Sequence, residues 1–416
     1  MLNYIKKAFT KSPTEKAIAL ENTYTAHNYH PLPVVLQRGE GVYLWDMDGN
    51  KYLDMMSAYS AVSAGHAHPR LVKKLTDQAQ TLAVTSRAYH SAIMGPFVEK
   101  LCTLAGLDMA LPMNTGAEAV ETAIKAARLW GYAVKNIPED QAEIIVATDN
   151  FHGRTTTIIS FSSDAEYKKN FGPFTPGFKI VPYGDIDAVK AAITPNTCAV
   201  LMEPIQGEAG IKLPPEGFLK DLRHLCTEQN VLLALDEIQS GLGRTGKMFA
   251  FEHEEARPDL LILGKALGGG LLPVSAVVGT KEIMGLFTPG SHGSTFGGNA
   301  LSSAVGLEAL NVLEDEGLVA NSAILGDYFM NELKAIDSPL IRTVRGRGLW
   351  IGVDFHPEKI SARAVCEKLM ARGILSKDTH GTVVRFAPPL TITRAEIDNC
   401  LDHVRAVVAE LEKKAA

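Results

Sequence analysis

Residues 231–239 read VLLALDEIQ, and residues 260–270 read LLILGKALGGG. Each stretch is a short apolar run that ends on a charged side chain, Asp236 in the first and Lys265 in the second. Runs of the same kind occur at Ile144–Ala147 and Ala199–Met202, with amphipathic stretches between several of them. Strand-like runs that alternate with helical patterns predict βαβ units, and continuous rather than alternating apolarity predicts strands covered on both faces. The expected class is therefore α/β with a mostly parallel central sheet. Two helices are expected from their periodicity: residues 116–130, with Ala117, Val120, Ile124 and Ala127 on one face, and residues 393–411, with Ile397, Leu401, Val404, Val408 and Leu411 on one face. The second opens with Thr393-x-x-Glu396, the pattern of a capping box. Near the N-terminus, HPLPVVLQRGEGVYLWDMDGNKYLD alternates around an Asp-Gly turn and predicts a β-meander.

The chain has 416 residues, more than the roughly 250–300 that one hydrophobic core usually serves. The expected division is an N-terminal segment of a small domain (1–50), a large domain (51–305) and a C-terminal small domain (306–416). With 46% hydrophobic and 21% charged residues, the chain can bury a large core, which excludes wholesale disorder. Its 41 basic and 47 acidic residues are spread along the chain, against a nucleic-acid partner. The most apolar window, 260–279, holds Lys265, three consecutive glycines and Pro273, so it predicts buried core rather than a membrane span. Cysteines at 102, 198, 226, 366 and 400 form no CxxC pair, and the start MLNYIKKAFTKS lacks an apolar core, so a cytoplasmic chain with reduced thiols is expected.

In open α/β sheets, ligands collect beyond the carboxyl ends of strands. Asp236 and Lys265 both stand there. A desolvated lysine that loses its proton easily suits Schiff-base chemistry, and a strand-end aspartate suits a pyridinium nitrogen, so the pair suggests pyridoxal phosphate (PLP). The alternative is a buried Asp–Lys ion pair that only shapes the core. The run PMNTGAEAVETAIKAA opens a helix at a small-residue turn, where the amides of Gly116 and Ala117 would meet a phosphate. An ordinary capping box between Thr115 and Glu118 is the competing reading. Phe151, in NFHGRT, could cover a cofactor ring or be core. Gly241-Leu-Gly243-Arg-Thr-Gly246 matches the dinucleotide fingerprint GxGxxG, but its glycines open no helix, which argues against a nicotinamide dehydrogenase. His66 and His68 lack ligand-spaced companions for a metal, and a turn or packing role is expected.

Taken together, HNYHPLPVVLQRGEG, LWDMDGNKYLD, GHAHP, MNTGAEAVETAIKAAR, FHGRT, MEPIQGEAG, LDEIQSGLGRTGKMFAFEH, PDLLILGKALGGGLLPVSAVVG, HGSTFGGN and VRFAPPL resemble, in order, the class III aminotransferases, a PLP family of fold type I. The resemblance runs from about Tyr24 to the C-terminus. It implies a large PLP-binding domain plus a smaller α+β domain built from both terminal segments. It also implies Lys265 as the Schiff-base lysine, Asp236 on the pyridine nitrogen, Gln239 on the ring hydroxyl oxygen and Phe151 on the ring. Thr115, Gly116, Ala117 and Thr295 are implied at the phosphate. Thr295 would reach over from a partner subunit, so a homodimer or higher homo-oligomer is expected. Ser63-Ala64 and Asn299-Ala300 depart from the family's usual Asn-Gln and Asn-Pro without touching these positions.

HNYHPLP, SAYSAV, EPIQGEAG and THG before RFAPPL further resemble the branch of the family that acts on ornithine. That implies transfer of the δ-amino group of L-ornithine to 2-oxoglutarate, with acetylornithine and 4-aminobutyrate as alternative donors. Arg154 would hold the distal carboxylate of ornithine or glutamate, a task that suits bidentate arginine. Glu208 would cover Arg385 during the ornithine half-reaction and release it for glutamate, and Tyr29 and Tyr59 would line the ornithine end. No metal and no membrane partner are expected.

Overall fold

The chain is described by a computed structural model over residues 12–415. The basic stretch at residues 1–11 lies outside the described residues. The expected meander forms as β1 (Leu36–Glu40), β2 (Tyr43–Asp46) and β3 (Lys51–Asp54), paired antiparallel in sequence order. Its β2–β3 turn is organised by Asp46, whose carboxylate accepts from the amides of Asp48 and Asn50, the Asn50 side chain and the Tyr52 hydroxyl.

The central sheet comprises β4 (Met109–Met113), β5 (Glu143–Ala147), β6 (Phe178–Val181), β7 (Thr197–Met202), β8 (Leu232–Asp236), β9 (Leu260–Leu263) and β10 (Ser275–Gly279). Their order is β4-β10-β9-β8-β7-β5-β6. The strands from β9 to β6 run parallel, and β10 is antiparallel to both neighbours. Period-two alternation divides each central strand between two cores. Ile145, Val200, Leu233 and Leu261 join one cluster with Leu219 and Leu222 of a helix at Phe218–Glu228. Ile144, Ala199, Ala234 and Ile262 join the other with Val120 and Ala123 of the helix Gly116–Ala133. A sheet whose every residue meets apolar side chains on one face or the other needs unbroken apolar strands, and that is why the sequence runs are continuous.

The C-terminal part contains β11 (Ile341–Gly346), β12 (Ile351–Phe355), β13 (Ile374–Leu375), β14 (Lys377–Thr379) and β15 (Val383–Phe386). β11, β12, β15 and β14 form an antiparallel sheet in that order, while β13 adds to β3 in parallel. Helices α1 (Ala300–Asp315), α2 (Leu318–Lys334), α3 (Ala362–Met370) and α4 (Arg394–Ala415) complete it. The five apolar positions expected along α4 are all buried, and Thr393 and Glu396 cap it reciprocally.

The meander continues to Asp54, past residue 50, because the third strand is needed to pair with β13. Residue 305 lies inside α1, a single helix that packs on the large domain, where a Cβ at Gly306 would meet the Phe97 ring at 2.7 Å, and also on α2.

The GxGxxG stretch serves the interface between these parts. A side chain at Gly246 would approach the Ala323 backbone of α2 to 2.9 Å, at a φ of +86° that already favours glycine. Between the glycines, the fully buried Arg244 donates to the Leu349 and Pro388 carbonyls at 2.9 and 2.6 Å and to the Ser57 and Ser63 hydroxyls at 3.2 and 3.1 Å. Burial without a carboxylate in contact pulls this guanidinium down to about 9. Arg244→Ala leaves four buried acceptors without their donor, so unfolding in urea should show a loss of about 3–5 kcal/mol. Arg244→Lys, which lacks the planar fork, should recover only a minor part of it.

Candidate active site

Lys265 and Asp236 emerge side by side because β9 and β8 are parallel neighbours, with Asp236 in register with Ile262. They line one cavity of about 260 Å³ together with Gly116, Ala117, Phe151, Glu208 and Gln239. The structure thus brings together seven of the residues singled out from the sequence.

Asp236 is buried; one oxygen accepts from the Ile238 amide at 3.0 Å and the other lies 2.7 Å from His152 Nδ1. Burial alone would lower the His152 pKa, but Asp236 and Glu203 outweigh it and raise it. Lys265 begins a short 3₁₀ turn at a φ of +44°. Its pKa is depressed by burial, against the opposing pull of Glu208, Asp236 and Glu203. A lysine held this way reaches its unprotonated, nucleophilic form more easily than one in water.

Thr115 caps the helix Gly116–Ala133. Its hydroxyl accepts from the Glu118 amide, while the Glu118 carboxylate accepts from the amides of Thr115 and Asn114. The capping-box reading is therefore correct, yet it does not compete with anion binding. The cap uses the amides of 114, 115 and 118, and among the described residues those of Gly116 and Ala117 meet no protein acceptor. A helix N-terminus with two uncommitted amides facing a cavity is an anion site in waiting.

At the other end, Arg385 of β15 donates to Glu208 at 2.8 Å, its side chain only 4% exposed. Burial pushes the Glu208 carboxyl up, but Arg385, Lys265 and Gln239 together hold it below the usual range. Gln239 donates to the same Glu208 oxygen at 3.4 Å. This crowding requires Gly207: a Cβ there would lie 1.6 Å from Gln239 Oε1 and 2.6 Å from the Trp350 ring. The Arg385 guanidinium also lies 5.1 Å over the Tyr59 ring. Arg154 stacks at 3.7 Å on Tyr167, which meets Phe151 edge-on, and has no carboxylate within ion-pair distance among the described residues.

Tyr29 and Thr295 stand apart from this cavity. Tyr29 is 79% exposed, in a segment of no regular structure, and Thr295 is exposed beside Ser294, which accepts from Asn114 at 3.0 Å. His66 and His68 serve packing, against Asp54 at 2.7 Å and Glu316 at 3.2 Å. Sequence reasoning missed Glu203, His152 and Tyr167. Glu203 is buried, accepts from the Phe151 amide at 3.0 Å and is pushed up to about 8, chiefly by burial. It directly follows β7, so the rule that found Asp236 and Lys265 could have found it.

Residues 24–408 match the family model of the class-III aminotransferases. An ornithine aminotransferase from Brevibacillus brevis is 57% identical over 95% of this chain and 99% of its own length. Among solved structures, a Toxoplasma gondii ornithine aminotransferase in which PLP partly occupies the active site is 42% identical, with a TM-score of 0.96, covering 100% of this chain and 98% of that one. An acetylornithine aminotransferase from Elizabethkingia anophelis is 45% identical, with a TM-score of 0.88, covering 96% and 100%.

Glu203 has a consequence for stability. Its folded pKa of about 8 lies above the ordinary 4.5 of the unfolded chain, so the folded state holds a proton that the unfolded state has released between those values. The contribution is complete at low pH and is lost as pH rises towards 8. His152, also raised, acts in the same direction. Glu203→Gln should flatten the fall in stability between about pH 5 and 8, whose slope for one group is at most about 1.4 kcal/mol per pH unit. Denaturant titrations at several pH values measure the slope directly.

Proposed function

Because the chain belongs to the class-III aminotransferases, we propose that it is a PLP-dependent ornithine aminotransferase. It moves the δ-amino group of L-ornithine to 2-oxoglutarate in a ping-pong cycle. The products are L-glutamate and L-glutamate 5-semialdehyde, which cyclises to pyrroline-5-carboxylate. The pair of Arg385 with Glu208, together with an Arg154 that has no acidic partner among the described residues, carries this reading. Both substrates bring one distal carboxylate, which Arg154 can bind in either half-reaction. Only glutamate brings a second carboxylate next to the reacting carbon. A buried arginine meant for glutamate alone must be neutralised while ornithine is bound, and Glu208 does this.

The residues fit the cofactor. The uncommitted amides of Gly116 and Ala117 would hold its phosphate with Thr115 nearby, Asp236 its ring nitrogen, Gln239 its ring oxygen and Phe151 its face. When bound, the cofactor supplies an aldehyde that carries the amino group and a cationic ring that withdraws electrons. Lys265 Nζ, its pKa depressed by burial, is the group able to take and return a proton at the substrate carbon bearing the nitrogen. Asp236, held by the His152 ring at 2.7 Å, is placed to favour a protonated ring nitrogen. Tyr59 lies beside the arginine, and Tyr29 receives the free α-ammonium of ornithine. Thr295 acts across a homodimer, completing the phosphate site of the partner. Five free cysteines support a reducing, cytoplasmic setting.

Lys265→Ala should abolish transamination with either amino donor; turnover of both half-reactions at the wild-type rate would exclude its role. Steady-state assays should favour ornithine over N-acetylornithine by ~10-fold to ~200-fold in kcat/KM, since the acetylated amine cannot donate as an ammonium to Tyr29. A preference for N-acetylornithine would instead place the chain with the acetylornithine enzymes.

A further inference from the structure

The switch just described leaves Glu208 without a destination. When glutamate takes Arg385, the displaced carboxylate has to stay near the sheet edge, and a buried unpartnered charge there would oppose glutamate binding. Glu208 and Phe151 form a wall shared by two cavities. One is the pocket of Lys265, and the other, of about 340 Å³, is lined on its far side by Asp149, Asp164, Tyr167 and His380. Within that second lining, His380 is the only side chain able to carry a positive charge. Of the two acids, Asp149 is engaged with Lys212 at 3.3 Å and Asp164 with the Glu166 amide at 2.9 Å.

His380 and Arg385 belong to one hairpin. β14 and β15 pair antiparallel, with Lys377 opposite Arg385 and Thr379 opposite Val383, so His380 lies in the connecting turn. The turn is tied to Glu208 itself: the Thr379 hydroxyl donates to the Glu208 carbonyl at 2.9 Å. His380 has a φ of +47° and is followed by Gly381 at +73°. A single hairpin thus carries two donors for the same carboxylate, Arg385 in the strand and, across the second cavity, His380 in the turn.

We propose that His380 is a positioning residue for specificity. It receives the Glu208 carboxylate in the second cavity when glutamate occupies Arg385, and so makes the two states of the switch nearly equal in energy. An imidazole N–H donates to a carboxylate whether or not the ring is protonated. The inference rests on the proposed switch and adds its second position.

The test uses stopped-flow half-reactions of the holoenzyme with ornithine and with glutamate. His380→Gly removes the ring without straining a left-handed residue. It should lower the specificity constant for glutamate on the order of tenfold, the effect of one charge-assisted hydrogen bond, and leave ornithine within about twofold. In a Glu208→Ala background no carboxylate has to be received, so His380→Gly should have no further effect on glutamate. Equal losses for both substrates, no loss for glutamate, or a loss that persists without Glu208 would each overturn the assignment of His380. A Glu208→Ala variant that keeps the wild-type ratio of ornithine to glutamate would overturn the switch as well. A changed ratio there combined with an inert His380→Gly would leave the switch standing and overturn His380 alone.

Discussion

A charge at the end of a buried strand survives only where an opposite charge or a well-placed dipole meets it, and this constraint governs the molecule. Three neighbouring strands deliver Glu203, Asp236 and Lys265 to one edge of the sheet, each at or just beyond its last buried residues. Apolar cores on both faces give them no water to retreat to. Asp236 is met by His152, whereas Glu203, with only the Phe151 amide donating to it, is pushed up to about 8 and keeps its proton instead. Lys265 remains with its ammonium disfavoured. The perturbed acidity that amino-group transfer needs is therefore a by-product of how the sheet is buried.

The smaller domain completes the electrostatics. β15 places Arg385 against Glu208, which follows β7 in the large domain, so one ion pair spans the two parts. Arg244 makes the opposite connection, from the large domain into the carbonyls of Leu349 and Pro388. Both arginines are almost wholly buried, and each donates across the boundary between the parts, Arg244 to the Leu349 and Pro388 carbonyls and Arg385 to Glu208 and the Gly207 carbonyl. Docking and site assembly are thus one event. The N-terminal meander and the C-terminal part share one sheet, β3 against β13, beside that contact.

The glycines show how similar spellings serve different ends. Gly207 is needed because Gln239 and Trp350 fill the volume where a Cβ would stand, which brings Gln239 within reach of Glu208. Gly246 is needed for the approach of α2. The second belongs to a stretch that reads as a nucleotide fingerprint by pattern, and only the direction of the chain around it separates the two uses.

The α/β class, the doubly covered sheet, the capped helices at 116 and 394, and the places of Asp236 and Lys265 were all determined by the sequence. Each depends on periodicity or on the residue that follows an apolar run, and these are local quantities. The meander also showed locally, through its Asp-Gly turn, although its third strand took its extent from a partner more than three hundred residues away, β13. Glu203 obeys the same strand-end rule, directly after the apolar run that ends at Met202. What the tertiary structure alone decided is which groups face one another. His152 meets Asp236 across 84 positions, Arg385 meets Glu208 across 177, and Arg244 reaches Pro388 across 144. Such pairings carry no periodic signal. They follow from the order in which the strands are laid side by side, and no window along the chain contains that order.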